Sequence, residues 1–137
     1  MGQPRPEQRN PYKGEPPRPW LRIRLIASDG TTSEVDLLAD TGNPCAVIIG
    51  QAALAKLKQR DAPSLDSNFG LLEGGWIRVA VPEVGLTCSV IAYGSDAVVS
   101  ASTRSSPDFS GLLGLPLLRL AEFGGDASSF WLRSPGP

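Results

Sequence analysis

The sequence predicts an all-β domain with two short helices. Three observations carry that reading. Apolar and polar residues alternate over "WLRIRLI" and "SEVDLLA", as in half-buried strands. Short β-branched runs such as "CAVIIG" are bounded by Gly, Asn and Pro. Helical spacing is confined to residues 51–60 and to the stretch after Pro116.

In chain order, residues 1–19 hold six of the thirteen prolines and no aliphatic side chain beyond Met1. This composition reads as a disordered, proline-rich arm, so the domain is expected to span residues 20–137. Leu21, Ile23 and Leu25 then share one face of a strand, with Arg22 and Arg24 on the other. Asp29-Gly30 is a hairpin turn signal, and Val35 and Leu37 face inward on the second strand. Asp40 ends that strand, before a Gly-Asn-Pro turn. "CAVIIG" follows as a buried strand. "QAALAKLKQR" is the first helix, with Ala53, Leu54 and Leu57 on one face and its cations toward the C-terminus. Residues 61–68 read as a loop, and residues 69–94 as two or three strands divided by Gly-rich and Pro-Glu-Val-Gly turns. Residues 95–111 are a Ser-rich connection. "LLGLPLLRLAEF" starts as a buried strand and turns helical at Pro116, and "SSFWLR" closes the fold as a strand.

Composition removes several functional classes. The chain has 137 residues, 41% hydrophobic and 20% charged, which suits one globular domain. Its net charge is −1; Arg5, Arg9, Lys13 and Arg18 against Glu7 and Glu15 give the arm +2 and leave −3 for the rest. No basic face or nucleic-acid motif is present, so no nucleic-acid partner is expected. The longest apolar run, Cys45 to Ile49, is too short to span a bilayer, and no membrane partner is expected. The chain has no histidine, and its two cysteines, Cys45 and Cys88, form no CxxC motif. Zinc sites and His-activated nucleophiles are therefore not expected, and neither a metal nor a cofactor is called for. The polar, proline-rich start shows no secretory pattern, so the expectation is a cytoplasmic protein with reduced cysteines.

Within this frame Asp40 is unusual, a carboxylate in the otherwise uncharged stretch "LLADTGNPCAVIIG". Asp40-Thr41-Gly42 after an apolar strand, and Leu112-Leu113-Gly114 leading into a short helix, together resemble the retropepsin-like aspartic proteases. The resemblance covers residues 20–133. It implies a closed acid-protease barrel with a flap hairpin, working as a homodimer. In that family the two apolar segments cross in a psi shape beneath the catalytic aspartate. Carried over, Asp40, Thr41 and Gly42 are the catalytic motif, and Leu112, Leu113 and Gly114 support it. The flap is expected over Asn68 to Ile77, with Gly70, Gly74 and Gly75 at a mobile tip. Trp76 and Asn43 are expected to contact a polypeptide substrate.

The chemistry is consistent with this inventory. Hydrolysing an amide with water needs a base and an acid, and two carboxylates sharing one proton supply both. One chain carries one such motif, so the other carboxylate must come from a second copy. The sequence departs from the family where Asn43-Pro44 replaces the usual Ala or Ser. Two other readings stand beside the enzyme. Asp40 can serve an Asx turn at a strand end. The domain can also be a catalytically silent module that binds peptide or dimerises. Cys45 and Cys88 read as small buried hydrophobes, and Trp20, Trp76 and Trp131 as packing anchors. Glu73, Asp96, Asp108 and Asp126 read as solvated turn residues.

Overall fold

A computed structural model describes residues 5–104 and 108–135. The strands are β1 (Glu7–Pro11), β2 (Trp20–Ile26), β3 (Thr32–Ala39), β4 (Val47–Ile49), β5 (Arg60–Ser67), β6 (Gly70–Val81), β7 (Leu86–Gly94), β8 (Gly111–Leu113), β9 (Glu122–Gly125) and β10 (Ser129–Arg133). The helices are α1 (Gln51–Leu57), α2 (Asp96–Thr103) and α3 (Leu115–Leu118). The fold is mostly β. Six strands close a barrel in the order β2-β3-β8-β4-β7-β6, with β6 pairing back onto β2 through Arg24 to Ile26. β5 extends this sheet beyond β6, and β1-β10-β9 form a separate antiparallel sheet.

The apolar runs of β3, β4 and β8 have a simple cause: these strands are buried on both faces. Leu37, Ala39, Val47, Ile49 and Leu113 point into the main core with Leu21, Ile23, Ile77 and Val79. The alternate residues Leu38, Ile48 and Leu112 point the other way, into a second cluster with Trp20, Cys45, Val98 and Phe109. Strands covered on both sides read as continuous hydrophobic runs, whereas β2, solvated on one face, keeps the alternation. The outer cover comes partly from α2, a full helix where the sequence suggested an irregular connection. Ser95 caps it, its hydroxyl accepting from the Val98 amide at 3.1 Å. The chain therefore has three α-helices among the described residues, besides a 3-10 turn over Pro82–Val84, rather than the expected two helices. Residues 105–107 of that Ser-rich stretch lie outside the described residues.

The N-terminal arm departs further from expectation. Residues 7–11 are a strand, and β1 pairs with β10 from Glu7↔Arg133 to Pro11↔Ser129. Two polar side chains then bind the edge of β2. Gln8, buried, donates to the Arg22 carbonyl at 2.9 Å and accepts from the Arg22 amide at 2.7 Å, and Asn10 donates to the Trp20 carbonyl. Lys13 lies 3.9 Å over the Trp20 ring and pairs with Asp36 at 2.7 Å. The arm is thus part of the domain, held by backbone and amide bonding rather than by aliphatic burial. Residues 1–4 and 136–137 lie outside the described residues.

Of residues 61–68, expected as a loop, 61–67 belong to β5, which forms a hairpin with β6 turning at Ser67–Gly70. Ser67 Oγ accepts from the Phe69 amide and donates to the Gly70 carbonyl, and Gly70 adopts φ +93°, which a side chain would resist. Phe69 and Leu71 are exposed at this tip. Gly74 and Gly75 are in the body of β6, opposite Ala62 and Asp61, and not at the tip. They are small for packing: a Cβ on Gly75 would lie 2.8 Å from the Lys58 side chain, and one on Gly74 would press on the Pro63 carbonyl. No described helix is long and apolar enough to cross a membrane.

Among the acidic residues read as solvated turns, Asp126 fits best: it accepts from the Ser128 and Ser129 amides in the β9–β10 turn. Those backbone bonds hold its carboxyl below the usual range. Asp96 instead opens α2 and accepts from the Gln51 amide at 3.0 Å, and Glu73 is on β6.

Candidate active site

The turn after β3 is fixed by bonds that converge from three directions. Ala39 donates to the Pro19 carbonyl at 3.0 Å, and Asp40 to the Leu113 carbonyl at 2.9 Å. Asn43 closes the turn by donating to the Asp40 carbonyl at 3.1 Å, and its own carbonyl accepts from Leu115. Gly114 then donates to the Ala46 carbonyl. β3 and β8 run parallel in register Leu38↔Leu112, while β4 crosses antiparallel on the other edge of β8 in register Ile48↔Leu112. The Asp40 turn and the Leu112-Leu113-Gly114 segment, far apart in sequence, are thus brought into direct contact.

Gly114 is the tight point of that contact. A Cβ there would overlap the Cys45 carbonyl oxygen and approach Asn43 O, so no other residue fits without backbone movement. Gly111 meets a similar limit at the Ile48 carbonyl.

On this scaffold the Asp40 carboxylate is exposed, although the stretch around it in sequence is otherwise uncharged and largely apolar. Its Oδ1 accepts from the Gly42 amide at 3.0 Å, which holds the side chain against the turn. Thr41 is also exposed, and its hydroxyl has no hydrogen-bond partner among the described residues. Asn43, by contrast, is buried. Its Oδ1 accepts from the Cys45 amide at 3.0 Å, which leaves Nδ2 as a buried donor with no partner among the described residues.

Two clefts flank the turn. One, of about 350 Å³, is lined by Asp40, Leu38, Ala39 and Leu112 together with Arg18, Pro19 and Ser102. The other, of about 250 Å³, is lined by Thr41, Gly42, Asn43 and Pro44 with Leu115, Pro116 and Arg119. Gly70, Gly74, Gly75 and Trp76 line neither. Trp76 stacks on Arg60 at 4.8 Å and borders a separate cleft beside Pro44, Cys45 and Leu120.

Arg18, Ser102 and Arg119 escaped the sequence reading. Arg18 belongs to the arm taken as disordered, and Ser102 to a helix taken as a connection. The one available signal for Arg18 was its position just before the first alternating strand.

Both thiols are pushed up by burial, so neither is set up as a nucleophile. No group of acidic or cysteine ligands able to hold a metal occurs among the described residues. The chain matches no family model, no curated protein and no solved structure.

Proposed function

We propose that the chain is one half of a homodimeric aspartic endopeptidase. The observation that carries this reading is the exposed Asp40 carboxylate on a turn braced by both β8 and the arm, a reactive group on a rigid support. The Gly42 bond by itself is the Asx turn of the alternative reading, so the support for catalysis lies in the bracing of Asp40 by β8 and the arm. Thr41, exposed beside it with a free hydroxyl among the described residues, is available to bond across a two-fold axis. No other carboxylate among the described residues lines the cleft, so a second copy must supply Asp40′.

In that arrangement one carboxylate takes a proton from water as the oxygen attacks the peptide carbonyl. The other carboxyl gives its proton to the carbonyl oxygen. Collapse of the tetrahedral species returns that proton, protonates the leaving nitrogen and breaks the C–N bond. Two carboxylates brought face to face act as one unit because both cannot ionise cheaply. The β5–β6 hairpin, with Phe69 and Leu71 exposed at its tip, is the element suited to close over an extended peptide. A cytoplasmic location belongs to the same proposal; the two free cysteines, Cys45 and Cys88, suit a reducing compartment.

The test is peptide cleavage from pH 4 to 8 by wild type and Asp40→Asn, with a statine-type inhibitor and sedimentation in parallel. Loss of cleavage in Asp40→Asn and inhibition of wild type are expected. Cleavage unchanged by Asp40→Asn, or activity from a strict monomer, removes the dyad. A dimer that binds peptide without cutting it identifies the silent module instead.

A further inference from the structure

The cleft lined by Asp40 is also lined by a cation, Arg18, that makes no ion pair with Asp40 or with any other described carboxylate. Arg18 enters from the arm, where its backbone pairs with Lys13, and its side chain makes a single bond, Nη1 donating to the Ser102 carbonyl at 2.6 Å. Its Nε and Nη2 have no partner among the described residues, and no described carboxylate lies within ion-pair reach of it. Of the nine other arginines, Arg5, Arg9, Arg22, Arg24 and Arg133 pair with Asp or Glu. Arg60, Arg78, Arg104 and Arg119 make no ion pair among the described residues, and of the unpaired arginines only Arg18 lines the Asp40 cleft. The remaining wall beside Arg18, made of Pro19, Leu38, Ala39 and Leu112, is apolar and offers the cation no counter-charge. A guanidinium fixed at one nitrogen, with its other edge free, is arranged to take a carboxylate bidentately. At about 350 Å³ the cleft suits one side chain rather than a large cofactor.

We propose that this cleft is a specificity subsite for an acidic residue of the bound polypeptide, with Arg18 as the residue that selects it. The proposal rests on the endopeptidase reading for the nature of the ligand. The peptide backbone passes Asp40 while a Glu or Asp side chain reaches along the apolar wall to Nε and Nη2 of Arg18. In a symmetric pair each Asp40 has its own Arg18, so acidic residues are favoured on both sides of the scissile bond.

The test uses full-length Asp40→Asn, which does not consume the ligand, and two labelled peptides differing only by Glu or Gln near the scissile bond. Fluorescence anisotropy is expected to give about tenfold tighter binding of the Glu peptide, the scale of one charge-assisted pair. Adding Arg18→Gln should level the two peptides, and Arg18→Glu should shift preference to a Lys peptide. Lys56→Gln, with the same change in net charge, should leave the ratio intact. Equal affinity for Glu and Gln peptides, or failure to bind either, overturns the subsite. So does an Arg18→Gln variant that alters only the monomer–dimer balance, since Arg18 would then serve the second copy. Wild-type cleavage of the same peptides separates the two readings. A retained Glu preference without any cleavage sinks the hydrolase and keeps the subsite, whereas cleavage with no preference does the reverse.

Discussion

The amide of Asp40 donates to the carbonyl oxygen of Leu113 at 2.9 Å, so the candidate carboxylate is positioned by β8 as well as by its own strand. The contact depends on Gly114, where a Cβ would overlap the Cys45 carbonyl. Gly114→Ala is therefore expected to cost about 1–3 kcal/mol, the usual range for forced overpacking in a close contact. Urea denaturation measures it, and an unchanged midpoint would mean that the backbone accommodates the methyl group.

Asn43 offers a sharper comparison, because its two side-chain ends have opposite status. Oδ1 satisfies the Cys45 amide, while Nδ2 is a buried donor without a partner among the described residues. Asn43→Ala should cost about 1–2 kcal/mol by orphaning the Cys45 amide. Asn43→Ser keeps an acceptor in reach and removes the stranded NH₂, so it should cost less than Asn43→Ala. If Asn43→Ser costs as much as Asn43→Ala, the serine hydroxyl does not reach the Cys45 amide and the Oδ1 bond is not what the position supplies.

Deleting residues 1–12 tests the arm. The deletion removes β1 from the edge of β10 and takes Gln8, which bonds both the amide and the carbonyl of Arg22. It also strips the Pro11 carbonyl from the buried Trp20 indole, which donates to it at 2.7 Å. A clear fall in melting temperature is expected, because each stranded backbone or indole group costs about 1 kcal/mol or more. No change in Tm would return the arm to its status as a dispensable tail.

The same arm marks where the sequence stopped being legible. Binary pattern reads aliphatic burial, and residues 5–19 bury themselves through backbone pairing, two amides and a cation over Trp20. β5 was missed for a related reason, since "RDAPSLDS" is an exposed hairpin arm with a bulge between Ala62 and Leu65 and no regular alternation. The barrel strands were legible because each is either half-buried, as β2 is, or buried on both faces, as β4 is. For the site, the contact between the Asp40 turn and Leu113-Gly114 was expected through the family resemblance that the two motifs carry, and not from residue pattern alone. Arg18 and Ser102 were not, since neither residue type nor spacing marks a wall contributed by an arm and a helix.

Asp36 gives a pH dependence whose sign follows from its surroundings. Burial alone would raise its carboxyl, but the bonds from Arg22 and Lys13 outweigh that and hold it below the usual carboxylate range. A depressed folded value adds stability above the unfolded pKa, near 4, and loses it as pH falls through the lower folded value. Acidification below about pH 4 should therefore weaken the domain more in wild type than in Asp36→Asn. At pH 7 the substitution itself should cost roughly 1–2 kcal/mol, kept modest because Arg22 is half exposed. Parallel stability profiles for both proteins from pH 7 to 3 would show that the pair contributes nothing.

Asp40→Asn is the variant on which the functional reading turns, and the single chain predicts that it folds normally. The position is exposed, and an asparagine Oδ1 accepts from the Gly42 amide as the carboxylate does. Surface changes that keep their hydrogen bond usually stay within about 0.5 kcal/mol. Loss of cleavage could then not be blamed on unfolding. Association is a separate readout. If two copies bring their Asp40 side chains together, the substitution alters a contact on the two-fold axis and should shift the dimer dissociation constant. Sedimentation equilibrium at pH 7 compares the two. A variant that folds and dimerises with an unchanged constant would mean that Asp40 does not meet its own copy, and the shared-proton mechanism would lose its geometry.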